Sequence, residues 1–115
     1  MGKTLVIGAS PKEERYSNRA TKLLLEKGHS VQLLGNRGVE IYGQQIYKKW
    51  GELDLKDLDS VTLYVGAKNQ NIFFNKVLIP KPNKVIFNPG TENEEFYGLL
   101  RSSGIEYEEA CTLVL

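Results

Sequence analysis

Thr4-Leu5-Val6-Ile7-Gly8-Ala9-Ser10-Pro11, followed by Lys12-Glu13-Glu14-Arg15-Tyr16-Ser17, is the stretch that decides the fold. Residues 4 to 7 run without apolar/polar alternation, as a strand covered on both faces does. A Gly-Ala-Ser-Pro turn ends the strand, and a loop carries the chain to about Ser17. Ser17 is placed to cap a helix on which Ala20, Leu23 and Leu24 share a face, and Gly28 stands where that helix should stop. Val31 to Leu34 then supplies a second buried strand. Strand, glycine turn, amphipathic helix and strand together make a βαβ unit.

The same alternation continues toward the C-terminus. Gln45 to Tyr47 reads as a short edge strand and Leu53 to Leu58 as a helical turn. Val61 to Val65 is a strong strand. It is followed by a helix over Asn69 to Leu78, with Phe74, Val77 and Leu78 at helical spacing, that Pro80 and Pro82 terminate. Val85 to Phe87 is the next strand. Thr91-Glu92-Asn93-Glu94 fits a capping box ahead of a helix bearing Phe96, Leu99 and Leu100 and stopped by Gly104. Ile105 to Glu108 is the last strand, and Ala110 to Leu115 is an apolar stub that reads as the start of a truncated helix. The expectation is a single α/β domain over residues 1–115, with a Rossmann-like, doubly wound, mostly parallel sheet of five to six strands. Right-handed crossovers put the first strand at its centre.

Bulk properties narrow the partners. The chain has 115 residues, 15 of them basic and 14 acidic, for a net charge of +1. One domain fits that length, with no room for a separate catalytic domain. No run of like charge offers a nucleic-acid or membrane surface, so small molecules are the expected partners. The apolar run at residues 4 to 7 is far too short for a signal peptide core or a span, and a cytoplasmic location is expected. A lone Cys111 makes no internal disulfide, and with it His29 assembles no zinc set. His29 follows the helix-ending Gly28 and has no nucleophile or carboxylate spaced to form a triad.

In open α/β sheets ligands bind at the carboxyl ends of the strands, where the strand order reverses. That rule gathers four loops: Gly8 to Arg19, Gly35 to Arg37, Gly66 to Asn69, and Asn88 to Asn93, which includes Gly90. Gly8 permits close approach of the backbone, and the amides from Ala9 onward, with the helix N-terminus behind them, suit a diphosphate. Lys12, Arg15 and Arg19 add positive charge, although Lys12 taken alone reads slightly better as part of a solvated loop. The usual dinucleotide fingerprint fails here, because its second and third glycines fall on Ser10 and Glu13. The acidic residue that NAD binding wants after the second strand is replaced by Gly35-Asn36-Arg37. A cation there suits a phosphorylated ribose, as in NADP or coenzyme A. Tyr16, Tyr42, Tyr47 and Trp50 are all able to stack on an adenine, and the sequence does not choose among them.

Leu5-Val6-Ile7-Gly8-Ala9-Ser10-Pro11 and Arg15-Tyr16-Ser17-Asn18-Arg19 resemble the CoA-binding domain proteins related to the N-terminal domain of succinyl-CoA synthetase α subunits. The resemblance continues through Tyr42-Gly43-Gln44-Gln45-Ile46-Tyr47 and Pro89-Gly90-Thr91-Glu92-Asn93-Glu94-Glu95, so it spans nearly the whole chain. It implies a nucleotide held at the first loop, with Gly8, Ala9, Ser10, Arg15, Ser17, Arg19, Asn36, Arg37, Gly66 and Lys68 as contacts. Two departures stand out. Many relatives have Asn-Pro after the second strand where this chain has Gly35-Asn36, and an apolar-Gln-Leu-Gly strand end where it has Phe87-Asn88-Pro89-Gly90. The adenine contacts are therefore left unassigned.

Three functions follow as expectations. The first is a non-catalytic module for coenzyme A or an acyl-CoA. The second is an NADP-linked oxidoreductase on the same loops, which lacks an evident proton donor. The third is a regulatory interaction protein with a vestigial nucleotide site, meeting a partner or a second copy of itself as a homo-oligomer.

Overall fold

The computed structural model describes residues 2–114. Its seven strands are β1 (Lys3–Ala9), β2 (Ser30–Gly35), β3 (Glu40–Ile41), β4 (Gln44–Tyr47), β5 (Leu58–Leu63), β6 (Lys84–Phe87) and β7 (Glu106–Glu109). Three α-helices accompany them: α1 (Tyr16–Glu26), α2 (Phe74–Leu78) and α3 (Glu94–Ser102). The strands form one sheet in the order β3-β4-β2-β1-β5-β6-β7. Every neighbouring pair is parallel except the β3–β4 hairpin.

The unbroken apolar run of β1 is explained by cover on both faces. Leu5 and Ile7 point into a cluster with Val61, Leu63, Val77, Phe87, Phe96 and Leu100, roofed by α2 and α3. Val6 and Ala9 point the other way, into a cluster with Leu33 and Ile46 that Leu24 and Leu25 of α1 cover. Phe87 meets Phe96 and Tyr97 edge-on, with ring centroids 5.5 and 4.6 Å apart. That arrangement sets the electropositive rim of one ring against the face of the next. Among the described residues no helix is long and apolar enough to cross a membrane.

β1 lies between β2 and β5, as a doubly wound sheet requires. From β2 the chain passes to the edge strand β3, turns back into β4 beside β2, then crosses over to β5 and continues through β6 to β7. The reversal is at the carboxyl end of β1.

Several expected details differ. The sheet has seven strands rather than five or six, because the two-residue β3 adds an edge beyond β4. The β3–β4 hairpin turns on Tyr42 and Gly43, both at positive φ (51° and 78°), the requirement of a tight two-residue hairpin. The helical turn expected over Leu53 to Leu58 is instead a 3-10 turn at Trp50–Glu52, and Leu58 opens β5. Strand β5 ends at Leu63, two residues short of Val65, and the helix expected over Asn69 to Leu78 is α-helical only from Phe74. Two 3-10 turns, Ala67–Asn69 and Asn71–Phe73, precede it.

Both expected caps are also displaced. Helix α1 begins at Tyr16 with Arg15 in the cap position and no side-chain cap, while Ser17 is buried in the first turn. Asn93, not Thr91, caps α3, its Oδ1 accepting from the amides of Glu95 and Phe96. The Thr91 hydroxyl donates to the Asn88 carbonyl at 2.8 Å, so it is already engaged in the preceding turn. The stub at Ala110 to Leu115 forms a 3-10 turn at Thr112–Val114, and Leu115 lies outside the described residues.

At Gly35 the main chains of β1 and β2 nearly touch: a β-carbon there would lie 2.2 Å from the Ala9 carbonyl oxygen. Gly35→Ala must push the two strands apart, and we expect it to lower unfolding stability by about 2–3 kcal/mol. Urea denaturation checks this, and an unchanged midpoint would show that the strands part without cost.

Candidate functional site

The carboxyl ends of β1, β2, β4, β5 and β6 open into one cleft of about 740 Å³. Its floor is shaped by Gly8. The pairing of β1 with β2 passes from Ile7↔Leu34 directly to Ala9↔Gly35, so Gly8 is left out of register as a bulge. Its φ is +99°, and a β-carbon would sit 3.1 Å from Cβ of Tyr64. Glycine is thus needed at this position for its backbone angle as well as for space. The bulge turns the chain out of the sheet and into the loop that leads to α1.

Three buried amide side chains hold the loops around the cleft. Asn18, in the first turn of α1 and 2% exposed, donates through Nδ2 to the Ser10 carbonyl at 2.9 Å. Its Oδ1 accepts from the Tyr42 hydroxyl at the hairpin turn, which ties loop, helix and hairpin together. Gln70, fully buried, donates to the carbonyls of Val65 (2.8 Å) and Thr91 (2.7 Å) and accepts from Nδ2 of Asn93 (3.0 Å). It thereby fastens the loop after β5 to the loop after β6. Asn88 donates to Oγ1 of Thr62 and the carbonyl of Leu63, and accepts from the amide of Thr112.

The charge lining the cleft has one sign. Lys12, Arg15, Arg37, Lys48 and Lys76 face it, and among the described residues no Asp, Glu, His or Cys does. All five cations are solvent-exposed. The ion pairs among the described residues, Lys3–Asp54 and Lys84–Glu108, lie elsewhere. Tyr16 and Ser17 also line the cleft, where the first turn of α1 carries no side-chain cap. Backbone N–H groups at the start of an uncapped helix, on the positive end of its dipole, form a ready anion cradle. Among the described residues, no group of three or more His, Cys, Asp or Glu side chains is placed to hold a metal. The arrangement suits a multiply charged phosphate ligand.

Of the residues singled out from sequence, Gly8, Ala9, Ser10, Lys12, Arg15, Ser17, Asn36, Arg37, Gly66 and Gly90 line the cleft. Arg19, Lys68 and Asn88 are not among the lining residues. Arg19 is one helical turn on from Arg15, its guanidinium 5.8 Å from the centroid of the Tyr16 ring. Lys68 is exposed in the turn after β5. Asn88 is 2% exposed, with its amide spent on β5 and the C-terminal turn.

Sequence reasoning missed Lys48, Tyr64 and Lys76, along with the apolar wall made by Ile72 and Phe73. Lys48 follows β4 directly, and a strand end was the available signal. Tyr64 follows β5 in the same way. Its hydroxyl is buried with no hydrogen-bond partner among the described residues, and burial pushes its ionisation above the ordinary tyrosine range.

A family model described as a CoA binding domain matches residues 2–115. No curated protein matches the chain. Among solved structures, an uncharacterised protein is 41% identical with a TM-score of 0.92, the match covering 99% of this chain and 93% of that one. A conserved hypothetical protein of Pyrococcus furiosus is 29% identical over the full length of both chains, with a TM-score of 0.83. An acetyl-coenzyme A synthetase of Ca. Korarchaeum cryptofilum shares the fold at 16% identity and a TM-score of 0.70. That match covers 94% of this chain but only 25% of the synthetase.

Gln70 fixes the cleft wall, and its bond to the Thr91 carbonyl is fully buried. Replacing it with Leu takes the amide partner from the Val65 and Thr91 carbonyls and leaves Asn93 Nδ2 only its longer bond to the Ala67 carbonyl, so Gln70→Leu is expected to cost about 2–3 kcal/mol. Thermal unfolding of the variant tests this, and a wild-type melting temperature would contradict it.

Proposed function

Because the chain belongs to the CoA-binding domain family, we propose that it binds coenzyme A or an acyl-CoA and carries out no chemistry on it alone. The observation that carries this reading is a cleft lined, among the described residues, by five cations and no carboxylate, set against an uncapped helix start. Coenzyme A brings roughly four negative charges at neutral pH, shared between a diphosphate and a phosphate monoester. Five unpaired cations oppose them at close range, and partial enclosure by the cleft reduces screening by salt.

Each part of the ligand has a matching part of the cleft. The diphosphate lies on the amides of Ala9 and Ser10 and on the first turn of α1, with Lys12 and Arg15 beside it. Gly8 contributes by leaving that backbone uncovered. The 3′-phosphate goes to Arg37, whose planar guanidinium can engage two of its oxygens at once, with Asn36 next to it. Lys48 reinforces that end, because its aliphatic stem runs past the same loop. A β-carbon at Gly38 would be 3.4 Å from Cδ of Lys48. Gly66 and Gly90 leave space on the opposite wall, where a β-carbon at either would meet nothing within 4 Å. The pantetheine arm passes there.

Among the described residues the cleft is lined by hydroxyls and lysine amines but by no carboxylate, imidazole or thiol, and no lining hydroxyl is hydrogen-bonded to a side-chain base that would activate it, which supports binding without catalysis. The chemistry of any acyl-CoA would then be done elsewhere, and this domain would hold, sense or present the thioester.

Titration calorimetry with coenzyme A, dephospho-CoA and NADPH tests the reading. Coenzyme A should bind most tightly, NADPH with its phosphate on the 2′-oxygen less so, and raising the salt should weaken coenzyme A the most. Arg37→Ala is expected to lower coenzyme A affinity by about 1.5–3 kcal/mol, the value of a charged hydrogen bond, and to leave dephospho-CoA nearly unchanged. Equal losses for both ligands would refute the role of Arg37, and preference for NADPH would refute the choice of ligand.

A further inference from the structure

Four aromatic side chains were candidates for an adenine platform, and their surroundings separate them. Tyr42 is engaged at the hairpin through its hydroxyl, and neither it nor Tyr47 lines the cleft. Tyr16 lines the cleft but is 62% exposed, so no packing fixes its ring. Trp50 remains. It sits in the 3-10 turn just after β4, half-buried and packed against the main core, and it faces the cleft. Phe73 backs it with ring centroids 6.2 Å apart, and the Lys76 ammonium stands 5.9 Å from its ring centroid. An indole packed on the core is a fixed aromatic surface, and the exposed Lys76 side chain over its ring swings aside when a base stacks there.

Its neighbours give that surface an address. Lys48 is two residues before Trp50, and it shares its end of the cleft with Arg37. In coenzyme A the adenine and the 3′-phosphate are substituents of one ribose, so a phosphate held by Arg37 and Lys48 leaves the base within a sugar's width. Trp50 is the lining aromatic two residues from Lys48, and Ile72 and Phe73 extend its apolar wall. A flat heteroaromatic base fits the wall, because stacking needs only a matching face and tolerates the missing hydrogen bonds.

We infer that Trp50, supported by Phe73, is the stacking platform for the adenine of the bound nucleotide. The assignment rests on the coenzyme A reading above. It gives the Trp50 corner to the nucleotide end of the ligand, which leaves the acyl end to the Gly66 and Gly90 side.

The chain contains a single tryptophan, so indole fluorescence reports this ring alone. Coenzyme A, adenosine 3′,5′-bisphosphate and 4′-phosphopantetheine are titrated separately, each followed by fluorescence and by calorimetry. Coenzyme A and the bisphosphate should quench the indole as they bind, and 4′-phosphopantetheine should leave it unchanged. Trp50→Ala should weaken the bisphosphate by roughly five- to a hundredfold, the range for loss of one base–aromatic stack, while Trp50→Phe retains most of the affinity. Calorimetric binding of coenzyme A with unaltered fluorescence would overturn the platform and leave the coenzyme A reading intact. Quenching by 4′-phosphopantetheine, or a Trp50→Ala loss confined to it, would hand the corner to the pantetheine arm and also overturn the inference. No heat with coenzyme A under any condition would remove both.

Discussion

Two main chains approach each other at the carboxyl ends of β1 and β2 more closely than any side chain allows, and the site depends on that approach. Gly35 has room for no β-carbon beside the Ala9 carbonyl, and Gly8 adopts a backbone angle that other residues rarely take. Beyond the bulge at Gly8 the first strand no longer pairs with β5, and only Ala9 still meets β2. The bulge thereby aims the following amides, and the first turn of α1, into the space above the sheet. A parallel sheet with its strand order reversing at this point provides the crevice. The two glycines decide that backbone, rather than side chains, forms its floor.

A backbone floor binds an anion well only if it is already in place when the ligand arrives, and here buried amide side chains keep it there. Asn18 holds the Ser10 carbonyl and the hairpin hydroxyl, Gln70 joins the two loops across the cleft, and Asn88 locks β5 to the C-terminal turn. Each spends its donors and acceptors internally, in surroundings where an unpaired polar group would be costly. The cations are arranged in the opposite way. They are exposed and without protein carboxylates in the cleft, so their attraction is kept for a ligand. Fixed dipoles thus form the base of the cleft and mobile charges its rim.

Much of this was legible in the sequence, for reasons that apply to particular elements. The unbroken Leu5-Val6-Ile7 run, the glycine after it and the amphipathic helix beyond reflect local rules strong enough to survive tertiary context, and they gave the sheet order around β1. Caps were less legible because several residues compete for one role. Ser17 has the right chemistry but is buried one residue inside the helix, and Thr91 is preempted by Asn93, which directly precedes the first helical residue. The region from Gly35 to Asp59 was the weakest part of the reading. Its hairpin turns on Tyr42, a residue type that seldom takes a positive φ, and its strands are two and four residues long. Lys48 and Trp50 lie in that region: Lys48 was missed and Trp50 was one of four undistinguished aromatics, whereas Arg37 was legible from its place just after β2. Asn88 shows the converse limit: a polar residue at a strand end reads as a ligand contact, yet its partners lie in a C-terminal turn that no local pattern announces.

The central claim is that backbone nitrogens of the first loop and helix start receive the ligand's diphosphate. Amide resonances of the isotopically labelled protein, followed while coenzyme A is added, test it most directly. The account predicts the largest shifts at Gly8, Ala9, Ser10, Tyr16 and Ser17, with smaller ones at Arg37 and Trp50. Shifts concentrated on the β7 edge or the opposite end of the sheet, with the first loop unmoved, would contradict it.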